Sequence, residues 1–219
     1  VAIFGRRGPD APTALYEVGR ARGWRPTPAP HHATLQPPSF ARVDVERLGE
    51  QGARSQAWVL TSPDGMTASH LEVFRDGADG PVYDMVGWGA PDSAAALPHV
   101  EIVCGQQPYH HHRLSERFGQ VGSVGVPLAV HGLAMNASRA CTEPAVAALA
   151  RHPGLSAVRA AAEAVGRGGF TVEVHHGRAA VFTLTTDARR GTGRWRALID
   201  GARHFAVVLD DVTAPRQQS

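Results

Sequence analysis

The chain has 219 residues, a formal net charge of +2 and a sequence pI near 8.9, with 43% hydrophobic and 19% charged residues. That length suits one large domain or two small ones with a real core, and the positive balance is too slight to argue for a nucleic-acid partner. All 22 basic residues are arginine, so Schiff-base chemistry, pyridoxal-phosphate catalysis and the phosphate-loop lysine are excluded for this chain.

No run of residues approaches the roughly 18 apolar positions of a membrane helix. The opening VAIFGRRGPDAP sets arginines after a short apolar patch, the reverse of a secretory signal. A cytoplasmic location is therefore expected. Cys104 and Cys141 are then expected as two buried, reduced thiols.

In chain order, residues 1–24 read as a helical segment. APTALYEVGRARGW puts Leu15, Val18 and Trp24 on one face, with Pro12 near the start and Gly23 at the stop. Residues 25–39 read as a proline-rich arm, because five prolines between 26 and 38 remove backbone donors. An α+β domain is expected over 40–209, with sub-halves at 40–108 and 121–209, followed by a frayed tail over 210–219. In the first sub-half ARVDVERL, SQAWVLTS, TASHLEVFRDG, GPVYDMVGWG and LPHVEIVCG read as strands. SPDG at 62–65 is a strong turn signal. This half is expected to form a largely antiparallel sheet.

In the second sub-half GVPLAVHGLAM contains a strand. NASRACTEPAVAALARH opens with cap-type residues and places Pro144 in a first helical turn. LSAVRAAAEAVGRGG is the clearest helix; Val158, Ala161, Ala162 and Val165 line one face and Gly168-Gly169 stop it. FTVEVHHGRAAVFTLTT reads as a hairpin turning near His176-Gly177, with Phe170, Val172 and Val174 alternating out and Ala180, Phe182 and Leu184 alternating back. In the closing helix, Trp195, Leu198, Ile199, Ala202 and Phe205 make one apolar stripe, with Arg194, Arg196, Asp200 and Arg203 on the other side. The expected class is α+β: strands first, then helices packed with a hairpin.

Twelve histidines invite a search for a site. His110-His111-His112 cannot supply three ligands to one tetrahedral ion from regular structure, because neighbours on a strand point to opposite faces. Its surroundings, QQPYHHHRLSERFG, suit a solvated loop. His31-His32 lie in the arm, and His175-His176 at the hairpin turn. His70 and His131 fall inside apolar strands, where a hydrogen-bonded histidine is expected. None of the recognised zinc spacings occurs, so no metal, cofactor or catalytic residue is assigned. There is no G-x-S-x-G elbow around Ser123, and GRGGF runs from helix to strand, the reverse of a dinucleotide fingerprint.

Several segments resemble, in order, a family of uncharacterised actinobacterial proteins of about this length. They are ARGW at 21–24, PPSF at 37–40, LPHVEIV at 97–103, VHGLAMNASRACTEPAVAAL at 130–149 and FTVEVHHGRAAVF at 170–182. Such proteins look like relatives of a wider bacterial family, some of whose members carry membrane segments ahead of this domain. The present chain departs by a longer helix, GLSAVRAAAEAVGRGG, before the hairpin. The resemblance implies a soluble α+β domain and carries no activity, cofactor or catalytic residue.

The expected function is thus a non-catalytic domain that binds a protein partner or rests at a membrane surface, its arm ordering on the partner. The alternative is a hydrolase whose histidine and carboxylate groups converge only in the fold.

Overall fold

The computed structural model describes residues 11–28, 54–75, 78–105, 123–128, 133–166, 168–185 and 191–214. Strand-forming segments rich in Val, Thr and aromatic residues make β1 (Arg25–Pro26), β2 (Arg54–Thr61), β3 (Thr67–Arg75), β4 (Ala78–Gly89), β5 (His99–Cys104), β6 (Ser123–Leu128), β7 (Leu133–Ser138), β8 (Phe170–His175) and β9 (Arg178–Thr185). The helices are α1 (Ala11–Ala21), α2 (Glu143–Ala150), α3 (Leu155–Val165) and α4 (Thr192–Thr213), and a 3-10 turn spans Asp92–Ala96.

The described strands form one antiparallel sheet in the order β1-β2-β3-β4-β9-β8-β5-β7-β6. β2, β3 and β4 follow one another as a meander. The β8–β9 hairpin then inserts between β4 and β5, so the two sequence halves share one sheet. Its turn is His176-Gly177, with φ of 47° and 76°. Two successive positive φ values match the twist of a tight hairpin, and glycine supplies the second at no steric cost.

Alternation gives the sheet two different faces. One carries Leu60, Ala68, Val86, Val181, Val172, Ile102 and Met135, all buried with the helices in the main core. α4 lies across this face. Trp195, Leu198, Ile199, Ala202 and Phe205 are completely buried, as the stripe requires. Gly201 lets α4 approach closely, since a Cβ there would meet the Phe170 ring at 2.6 Å. α1 belongs to the same core: Ala14, Leu15 and Val18 are buried, and the indole of Trp195 donates to the Ala11 carbonyl at 3.2 Å. The other face carries a smaller apolar cluster, Met85, Ala180 and Phe182.

The α+β class and the C-terminal helix packed over the hairpin match the sequence reading. Several details differ. Arg25-Pro26, expected in an irregular arm, pair with Thr61 and Leu60, and the Thr27 amide donates to Val59. An edge strand tolerates Pro26 because the missing donor faces outward. Asn136 and Ser138 are in strand β7, and the helix expected from NASR starts only at Glu143, with Pro144 in its first turn. α3 stops at Gly166 (φ 95°), ahead of the expected glycine pair. Ala180 and Phe182 do not join the helix-covered core; Ala179 and Val181 do. Asp210–Thr213, expected as tail, complete α4. Arg194 turns inward, as described below. The expected strand at 41–48, arm residues 29–39, His31-His32, His110-His111-His112 and His131 lie outside the described residues.

Candidate functional site

Two polar clusters stand on the sheet, one on each face. On the helix-covered face, cross-strand register lines up Trp58, His70, Asp84 and Thr183 on β2, β3, β4 and β9. His70 and Asp84 are fully buried. His70 Nδ1 lies 2.5 Å from Asp84 Oδ1, and its Nε2 lies 3.1 Å from Glu72 Oε1. Arg194, from the first turn of α4, reaches down to Asp84 Oδ2 at 3.3 Å and donates to the Thr183 hydroxyl. Trp58 and Trp195 wall the imidazole at ring-centroid distances of 5.4 and 6.5 Å.

An imidazole with a carboxylate at each nitrogen can donate to both only as the cation. Burial pushes the His70 pKa down, but the Asp84 hydrogen bond and charge, helped by Glu72, outweigh it and raise the group above its ordinary value. The buried His70–Asp84 pair is then balanced by the partly exposed Glu72 and Arg194 at its two ends. That balance is the condition for burying charge at all.

On the opposite face, β5 and β8 read His99-Val100-Glu101 and Glu173-Val174-His175. Antiparallel pairing reverses the second string, so His99 faces His175 and Glu101 faces Glu173. His176, at the turn, completes a trio whose ligand-type atoms all lie within 4.8 Å of one another. The Nδ1 atoms of His99 and His175 are 2.7 Å apart, and the three ring centroids are 4.3 to 4.4 Å apart. His99 and His175 are half-buried and His176 is exposed. Burial holds His175 down to about 4, with the neighbouring imidazoles and Arg178 adding to it. Burial and His176 likewise lower His99. These rings are therefore neutral near pH 7, the form that binds metals.

One step along both strands, Glu101 and Glu173 are 1% exposed. Asn136 of β7, also opposite Glu101, donates to its Oε2 at 3.2 Å. Among the described residues, Glu101 Oε1 has no hydrogen-bond partner. Burial raises the Glu101 carboxyl to about 7, against the opposing effect of the Asn136 bond.

Both cysteines are free and buried. Burial pushes the Cys104 thiol up to about 12, and the Cys141 thiol donates to the His99 carbonyl at 3.2 Å. Between α3 and α4 an open groove is lined by Ala157, Ala160, Ala164 and Ala197, with Arg196 and His204 beside it.

The sequence reading placed His70 correctly as a hydrogen-bonded strand histidine and His176 correctly at the turn, whereas His175, expected at the turn with it, ends strand β8 and pairs with His99. It did not assemble either cluster. The readable signal was the pair of mirrored strings, H-V-E and E-V-H, whose polar positions alternate against valine. Comparison with family models, curated proteins and solved structures finds no match to this chain.

Proposed function

We propose that this chain is a non-catalytic binding domain that engages a protein partner. The observation that carries this reading is the closure of the His70 cluster. Both ring nitrogens are engaged by carboxylates and the side chain is fully buried, so His70 has no nitrogen to offer a substrate. The Cys104 thiol, raised to about 12 by burial, is likewise no nucleophile at neutral pH. No described helix is long and apolar enough to cross a membrane. Among the described residues, Val207 is the large apolar side chain left exposed, which favours a protein over a lipid surface. The groove between α3 and α4 is lined by alanines and Gly193 together with Arg196, Asp200 and His204, so a partner's backbone can come close beside polar groups. The cytoplasm fits the two free thiols, and the actinobacterial resemblance carries no activity with it.

A second reading, hydrolysis, is favoured by one specific observation: three imidazoles stand beside two buried carboxyl groups on one face. The same purified protein tests both. The binding reading expects a complex of defined stoichiometry from host extract, with cross-links mapping to α3 and α4, and disrupted by Ala160→Glu. It also expects no turnover across ester, phosphoester, glycoside and peptide substrates. Turnover that disappears in a folded His99→Gln variant would replace it with the hydrolase.

A further inference from the structure

We propose that His99, His175 and His176 form a binding site for one divalent transition-metal ion of the zinc, copper or nickel type. This goes beyond the reading above and does not depend on it. The trio is built by the fold: His99 and His175 are 76 positions apart in sequence and are brought together by strand register, while His176 is delivered by the hairpin turn. All three offer nitrogen atoms within 4.8 Å of one another. A tetrahedral ion with metal–nitrogen bonds of about 2.0–2.1 Å holds its ligand nitrogens about 3.3 Å apart. The 2.7 Å contact between His99 and His175 need only open slightly to accept it.

Imidazole nitrogen selects borderline first-row ions over magnesium or calcium, which take oxygen ligands. Three protein ligands with His176 in solvent leave a fourth position for water or an added ligand. The surroundings fit as well. Glu101 and Glu173 stand one step inward on the same face of the same two strands. Glu101 keeps a buried oxygen with no hydrogen-bond partner among the described residues.

The test is calorimetric titration of the tag-free, full-length protein with Zn²⁺ and Ni²⁺, with Mg²⁺ as control. One equivalent of Zn²⁺ or Ni²⁺ should bind and Mg²⁺ should not. His176→Asn removes a ligand yet keeps the turn, since asparagine accepts the left-handed conformation at φ 47°. It should weaken binding by about tenfold or more, because even outer partners of ligands cost about 10–100-fold. His99→Gln should behave alike. Replacing His110, His111 and His112 together by serine should leave the affinity unchanged. The proposal is overturned if one-equivalent binding is missing, if His176→Asn titrates like the parent, or if the serine variant is the one that loses binding.

Discussion

His70 shows how a titratable side chain can be core. A buried imidazole would ordinarily lose its proton, yet Asp84 at 2.5 Å and Glu72 at 3.1 Å make the cation the better-solvated form. Arg194 from α4 reaches Asp84 and also donates to Thr183 of β9, while Trp58 and Trp195 flank the imidazole. The folded pKa stands above the ordinary 6.5. The stabilisation is therefore fully present below pH 6.5 and is lost as pH rises through the folded value. Asp84→Asn leaves His70 and Arg194 without their shared anion, and should cost about 3–5 kcal/mol at pH 6, the usual loss when a buried pair is broken. Denaturant melts from pH 6 to pH 9 should show the parent's stability declining more steeply with pH than the variant's. Parallel profiles would mean that His70 is neutral in the folded protein. The sequence showed a histidine inside an apolar strand. It did not show Asp84 opposite, because TASHLEV and YDMV reveal their partners only once register is known. The mirrored H-V-E and E-V-H strings were legible in principle, since period-two alternation already put each Glu and His on one face.

At the scale of elements, α4 was the most readable. A 3.6-residue period alone sorted Trp195, Leu198, Ile199, Ala202 and Phe205 onto the buried side. The period could not sort Arg194, which is half-buried and whose head group follows the Asp84 carboxylate rather than solvent. Asp200 is likewise tied, to Arg22 of the turn after α1 at 2.9 Å. Arg196 is exposed beside the groove. Trp195→Ala should cost roughly 3–5 kcal/mol, as for other large buried aromatics, because it opens a void against His70 and abandons the hydrogen bond to the Ala11 carbonyl. Arg196→Ala should change stability by less than about 0.5 kcal/mol, in keeping with exposed surface positions. Chemical denaturation of the two variants side by side is the check. If Trp195→Ala unfolds at the parent's midpoint, α4 does not seal the sheet.

At the scale of the whole molecule, local pattern placed most strands along the chain, missing β1 and reading β6 and β7 as one strand, but did not order them across the sheet. β4 and β5 are neighbours in sequence, separated by a 3-10 turn, and yet the β8–β9 hairpin lies between them. Nothing in a period-two pattern states which strand pairs with which, since that choice is made by non-local burial. Here Phe170, Val172 and Val174 of β8 and Ala179 and Val181 of β9 fill the core under α4. The sub-halves expected at 40–108 and 121–209 are thereby joined by backbone hydrogen bonds through that hairpin, and α1 and α4 pack over the same face. Removing the hairpin's order should therefore weaken both sides together. Gly177, at φ 76°, is the position to disturb, because a β-branched residue is strained there. Gly177→Val should lower stability by about 1–3 kcal/mol, the usual cost of such backbone strain. It should do so as a shift of one transition. Tryptophan fluorescence reads Trp24, Trp58, Trp88 and Trp195, beside β1, on β2 and β4 and in α4, while far-ultraviolet circular dichroism reads the whole chain. The two curves should coincide in the parent and stay coincident in the variant. A variant whose fluorescence melts apart from its circular dichroism would show that β2–β4 can hold together without the hairpin, and that the sheet is two cooperative units joined at β9.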